Sequence, residues 1–262
     1  MTRLHKFLSV LTLAVVLCGA AIIVLTQRTE TTTEPIKIKA TRTPQPHSKP
    51  LKATPKSFDH LQYSTTDPNS FWIIVNKQHA LVPKSFAASD LRLPKVHQRV
   101  PGATEMQLRD AAASALEAMF KAAADAGYEL QISTAYRGYA YQKTLYDAYA
   151  ASDGVAQADT YSARPGYSEH QTGLALDIRS MSNQCPLKQC FGNLPEGKWL
   201  AANAYKFGFI LRYTKDKELV TGYHYEPWHF RYVGNSLALE MHKTGIETLE
   251  EFFKVSGGTV YR

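Results

Sequence analysis

The chain has 262 residues, of which 44% are hydrophobic and 20% charged, with a formal net charge of +7. That length allows one large domain or two small ones. The positive balance draws largely on an N-terminal arm and a following basic tract. No aromatic-interleaved basic patch of the kind single-strand binders use is present, so nucleic acid is not an expected partner.

Phe7 to Thr26 is a nearly unbroken apolar run preceded by Arg3, His5 and Lys6. It is long enough to span a bilayer, and the charges before it predict that this end stays in the cytoplasm. A cleaved signal peptide ending near Gly19-Ala20-Ala21 is the alternative, but Ile22 to Leu25 continue the run past that point. Bulky Leu17 before Cys18 argues against lipidation there. Residues 1–27 are therefore expected to be an uncleaved signal anchor, single-pass in the cell membrane, with the remainder extracytoplasmic. Residues 28–58 form a Thr/Pro/Lys-rich linker, expected to be disordered or extended. From Pro35 to Lys56 it carries lysines and an arginine and no acid, which suits a solvated tether with some attraction to anionic surfaces.

Thr104 with Gln107 resembles a capping box at the head of a long helix. Leu108, Ala112, Leu116, Met119 and Ala123 recur on one face of it, and Gly127 closes it. Leu130 to Ala135 alternates as a strand, and Tyr139 to Ala150 reads as a helix. Gly173 to Ile178 reads as a strand, and Glu196 to Lys206 as a helix ended by Gly208. Phe209 to Tyr213 and His229 to Val233 read as further strands, and Leu237 to His242 and Ile246 to Lys254 as terminal helices. Cys185 and Cys190 flank a short loop. In an oxidising setting they suit a disulfide, and a Cys-x4-Cys zinc clip would lack a second pair. The irregular alternation, without phosphate-loop signatures, favours α+β: a central antiparallel sheet with helices around it, in a single domain over residues 59–262.

Two stretches carry chemistry: Ser168 to Asp177, and Glu226-Pro227-Trp228-His229. They offer two imidazoles, a carboxylate, and a second carboxylate beside the last imidazole. Three N/O ligands with a base next to an open fourth position are what a hydrolytic zinc site needs. His170 and Asp177 are not at helical i,i+4 spacing, so this is not the HExxH design. Alternation of Leu174, Leu176 and Ile178 with Ala175 and Asp177 places Asp177 on a strand and His170 on the approach to it. Gly173 would let the backbone turn sharply or pass close to a neighbour. Taken alone, a His and an Asp in one loop are ordinary hydrogen-bonding residues. The Glu-x-Trp-His stretch reverses that balance by supplying the third ligand and the base together. Asp177 also sits in an apolar run, where a carboxylate is costly unless paired or bound to a metal.

The pattern Ser-x-His-x-x-Gly-x-Ala-x-Asp followed by Glu-x-Trp-His resembles that of the VanY-type D-alanyl-D-alanine carboxypeptidases. These are zinc peptidases of the bacterial cell wall, related to L,D-carboxypeptidases. Ile73 to Lys77 with Leu81-Val82-Pro83 resembles the family's first strand and loop, and Ser133 to Tyr139 with Gln142 its Arg segment. Pro195 to Leu200 and Gly208 to Tyr213 resemble the stretch between the two motifs. The likeness runs from about Phe71 to Val233. It implies that His170, Asp177 and His229 are the zinc ligands, and that Glu226 takes the proton from water and passes it to the leaving amine. It implies that Arg137 grips an anionic oxygen of the substrate, either the terminal carboxylate or the developing oxyanion. Gln142 would add an amide to the same pocket, and Ser168 would hydrogen-bond substrate. The plain readings are a surface salt-bridge arginine at Arg137 and a turn-capping serine at Ser168. His224 and Tyr225 are candidates for lining the pocket, and three ligands already fill the usual catalytic count without His224. Tyr136, Tyr139, Tyr141, Tyr146 and Tyr149 suit core or rim.

The implied function is a membrane-anchored, monomeric zinc D,D-carboxypeptidase that removes the terminal D-alanine from peptidoglycan stem peptides. An L,D-carboxypeptidase, dipeptidase or endopeptidase on such peptides would share the metal set. A non-catalytic wall-binding module would be marked by a missing ligand or base, and none is missing.

Overall fold

The computed structural model describes residues 58–262. The expected anchor at residues 1–27 and almost all of the expected linker at 28–58 lie outside the described residues. In chain order the strands and helices are β1 (Leu91–Arg92), β2 (Leu108–Arg109), α1 (Asp110–Asp125), β3 (Leu130–Thr134), α2 (Tyr139–Asp153), α3 (Val155–Ala158), β4 (Ala175–Ser180), α4 (Pro195–Asn203), β5 (Phe209–Leu211), α5 (Glu218–Thr221), β6 (His229–Tyr232), α6 (Asn235–Thr244) and α7 (Leu249–Phe253). β1 and β2 form a small antiparallel ribbon, and β3-β4-β6-β5 form the main sheet, antiparallel throughout. This is the α+β arrangement expected from the sequence.

Directly opposed residues in an antiparallel ladder share a face, so the register sorts the sheet. Leu176 faces Phe230, which faces Leu211, and Ile178 lies opposite Ile132. That face buries against Ala112, Leu116, Met119 and Ala123 of α1 and Leu200 of α4. The predicted stripe of α1 is thus the one that packs. The opposite face carries Asp177, His229, Arg231 and Ile210. Ile210 joins a second apolar cluster with Trp72, Ile74, Leu237 and Leu249.

Two sequence expectations are corrected. The long helix starts at Asp110 rather than at a capping box on Thr104. Thr104–Met106 closes a separate 3-10 turn, and the backbone of Leu108 and Arg109 is committed elsewhere: they pair with β1, and Arg109 N donates to Gly173 O at 2.9 Å. The segment Ile73 to Lys77 is buried but forms no strand. Ile74 N donates to Thr65 O, and Asn76 bridges only to His79. The apolar run is instead buried on two sides of an irregular segment, Ile73 and Val75 in one cluster and Trp72 and Ile74 in the other.

Candidate metal centre

The β4–β6 register sets Asp177 directly opposite His229. His170 arrives from the 3-10 turn Glu169–Thr172 that precedes β4. Gly173 ends this turn at φ 69°, a region L side chains disfavour. A Cβ there would also lie 2.7 Å from Leu91 Cδ2 and 3.0 Å from Arg109 Cγ, so both reasons for a glycine apply. Thr172 Oγ1 donates to Glu169 O at 2.6 Å and accepts from Leu174 N at 3.1 Å, which pins the turn from within.

His170, Asp177 and His229 are all buried. Asp177 Oδ1 is 3.5 Å from His170 Nε2 and 3.3 Å from His229 Nδ1. One donor atom from each residue lies within 4.8 Å of the other two. Asp177 Oδ1 accepts no hydrogen bond, although a buried carboxylate oxygen without a partner is costly. A cation among the three donors removes that cost. Two imidazole nitrogens and one carboxylate oxygen are a donor set that fits zinc and leaves its fourth position open. His170 Nδ1 lies 2.6 Å from Ala135 O. That carbonyl holds the ring proton on Nδ1 and leaves the Nε2 lone pair facing Asp177.

The electrostatics sort these groups. Burial, aided by Arg137, pushes the His170 imidazole down to about 4, so it stands neutral as a ligand must. Burial works against charge on Asp177, yet the two imidazoles hold its carboxyl far below the usual range. Burial also opposes charge on His229, but the Asp177 and Glu169 carboxylates outweigh it and push the ring up to about 9, so a cation bound at Nδ1 would have to displace a proton there. Glu226 stands at a turn: its N donates to Tyr213 O, and His229 N donates to its own carbonyl, each at 3.0 Å. Its Oε2 lies 3.6 Å from His229 Nδ1. Burial, with the neighbouring Asp177 charge, pushes the Glu226 carboxyl up to about 8.

These groups open onto a cavity of about 380 Å³. Arg137 and Ser168 line it, as do His224 and Tyr225. Arg137 leaves β3 in the loop before α2, its N donates to His170 O, and its Nε is buried without a partner. Gln142 is placed differently from the sequence expectation. It is wholly buried, is not among the lining side chains, and donates Nε2 to Ala163 O at 2.7 Å. Its amide is committed to the wall rather than presented to the cavity. Cys185 and Cys190 are joined as a disulfide, with Cα atoms 5.7 Å apart. Leu187 and Gln189 of the loop they close form part of the cavity lining.

Sequence reasoning missed what stands behind the cluster. Glu169 Oε1 accepts from Arg212 Nε at 2.8 Å and from Arg231 Nη1 at 2.7 Å, and all three side chains are buried. Arg212 also donates to Glu250 through both terminal nitrogens. A signal was present: Arg212 and Arg231 lie in or against short apolar strands, where a cation needs a buried anion.

The chain matches the family model described as D-alanyl-D-alanine carboxypeptidase (VanY) over residues 105–235. It is 44% identical over 200 residues to YodJ of Bacillus subtilis, named as a carboxypeptidase, covering 76% of this chain and 72% of the relative. Among solved structures it is similar to the LdcB LD-carboxypeptidase, with 45% identity and a TM-score of 0.68, covering 72% of this chain and 89% of that one. It is also similar to a vancomycin-resistance D,D-pentapeptidase, VanY, in complex with Zn(II), with 31% identity and a TM-score of 0.57, covering 70% of this chain and 98% of that one. With its motifs and fold in agreement with that match, the chain belongs to the VanY family of D-alanyl-D-alanine carboxypeptidases.

Proposed function

We propose that this chain is a zinc carboxypeptidase of the cell wall that removes the terminal D-alanine from peptidoglycan stem peptides. The observation that carries the reading is one constellation of side chains with a buried donor cluster at its centre. His170, Asp177 and His229 converge within 4.8 Å, Glu226 stands 3.6 Å from His229, and Arg137 lines the same cavity. His170, Asp177 and His229 would hold the zinc. When bound, it supplies the Lewis acidity that polarises the scissile carbonyl and acidifies a water.

Glu226 takes a proton from the attacking water and hands it to the leaving amine, which a largely enclosed carboxyl with raised proton affinity suits. The Arg137 guanidinium, with one nitrogen unpartnered, binds the terminal carboxylate of the peptide or the oxygen that becomes negative. Ser168 donates to the substrate backbone. Gln142 supports the wall through the Ala163 carbonyl.

Removal of the last residue from a tetrapeptide stem, the L,D reaction, is the second reading, favoured by the likeness to LdcB. The test gives pentapeptide and tetrapeptide stems to the protein, with and without a chelator, and weighs the products. Chelator-sensitive loss of one alanine from the pentapeptide alone supports the first reading. Loss from the tetrapeptide alone moves the activity to the second. No cleavage of either stem by zinc-loaded protein overturns both. The same proposal places the domain outside the cell as a monomer, tethered by the apolar run at Phe7 to Thr26.

A further inference from the structure

Glu169 has two carboxylate oxygens with different surroundings. Oε1 is saturated by the two buried guanidiniums of Arg212 and Arg231. Oε2 accepts no hydrogen bond, and it lies 3.5 Å from His229 Nε2, a nitrogen that also has no partner. The other ring nitrogen, Nδ1, is the one that faces Asp177 at 3.3 Å. Two orphaned, complementary atoms thus point at each other on the far side of the imidazole from the donor cluster.

The two arginines that hold Glu169 have further partners of their own. Arg212 is clamped on its other side by Glu250 at 2.9 and 2.7 Å, and Glu250 also accepts from Asn76. Arg231 Nη2 donates to the carbonyls of Phe71 and Ile73. Two carboxylates and two guanidiniums balance in charge. Fold stability alone would be served as well by packing that left no carboxylate oxygen unpaired. The orphaned oxygen aimed at His229 is what such packing would not provide.

We infer that Glu169 is a positioning residue for the metal ligand His229. It accepts the Nε2 proton, fixes the ring in the tautomer whose Nδ1 lone pair faces the donor cluster, and strengthens that nitrogen as a ligand. This rests on His229 being a zinc ligand. Arg212 and Arg231 serve by holding Glu169 in place through Oε1. Because Glu169 directly precedes His170, one short turn places a ligand and orients the ligand on the neighbouring strand.

The test measures zinc affinity of the full chain by chelator competition, with thermal unfolding in parallel. It compares wild type, Glu169→Gln, Glu169→Asp and Glu250→Gln. Glu250→Gln is the matched control, since it removes a buried carboxylate from the same network without touching His229. Glu169→Gln should bind zinc about 10- to 100-fold more weakly, and Glu250→Gln should lose stability yet stay within about threefold of wild-type affinity. Glu169→Asp keeps the charge beside both arginines but is one methylene shorter. It should fold and still lose zinc affinity, and it decides the matter if Glu169→Gln does not fold. Wild-type affinity in Glu169→Asp or Glu169→Gln, or equal weakening in Glu250→Gln, overturns the inference. A wild type that binds no zinc instead overturns the reading of His229 as a ligand, a separate result.

Discussion

Two carboxyl groups share one cavity and differ in proton affinity because their neighbours differ. Asp177 lies between two imidazoles that favour its charge, whereas Glu226 is largely enclosed with the Asp177 charge nearby, which raises its affinity for a proton. A ligand and a base are thus separated by environment, as acid–base pairs in active sites generally are. Arg137 belongs to the same scale. A guanidinium can meet a carboxylate with two parallel bonds, and an ammonium cannot. Arg137→Lys should therefore lose about 1.5–3 kcal/mol of binding, roughly 10- to 100-fold in kcat/KM. Steady-state kinetics on stem peptides checks this, and an unchanged kcat/KM would place Arg137 outside the substrate contact. His170, Asp177, Glu226 and His229 were legible in the sequence because each pair sits within a few residues and the residue types suit one chemistry. Glu169 with Arg212 and Arg231 was not. Those pairs are 43 and 62 residues apart, and only the sheet topology brings them together.

At the scale of elements, the site depends on how two strands and one turn meet. Alternation identified β4, and β6 was also read as a strand, but not that Asp177 would fall opposite His229, since register is set by packing on the far face. The missed start of α1 has the same origin: local capping chemistry at Thr104 lost to ladder pairing at Leu108 and Arg109. Gly173 links both effects. Gly173→Ala combines a left-handed backbone with overlap on Leu91 and Arg109 and should cost about 2–4 kcal/mol. Denaturant unfolding measures it, and a change below about 0.5 kcal/mol would mean that the turn is not constrained as described. The Cys185–Cys190 loop is the second such element. Gly192, just after it, lies against Tyr225 and Pro227, where an added Cβ would overlap the Tyr225 hydroxyl, and Tyr225 and Pro227 flank Glu226. Replacing both cysteines with serine should remove about 2 kcal/mol of stability by the loop-closure argument. It should also raise KM severalfold with kcat little changed, because Leu187 and Gln189 line the cavity. Unaltered KM would show the loop to be a scaffold without a role in binding.

At the scale of the whole molecule, the described residues 58–262 fall within one compact unit, and among them no helix is long and apolar enough to cross a membrane. The apolar run at Phe7 to Thr26 is the proposed anchor. Deleting residues 1–27 should move the protein from the membrane fraction to the soluble fraction of cells with turnover per molecule unchanged. Continued membrane association would assign the anchoring elsewhere. The central claim is that three side chains hold one zinc while Glu226 moves the proton. It is tested most directly by measuring zinc content and pentapeptide hydrolysis together, on wild type and on Glu226→Gln. The account predicts one zinc per chain in both proteins, and hydrolysis reduced by about 10²- to 10⁴-fold in the variant. Zinc lost together with activity, or hydrolysis undiminished, would contradict it.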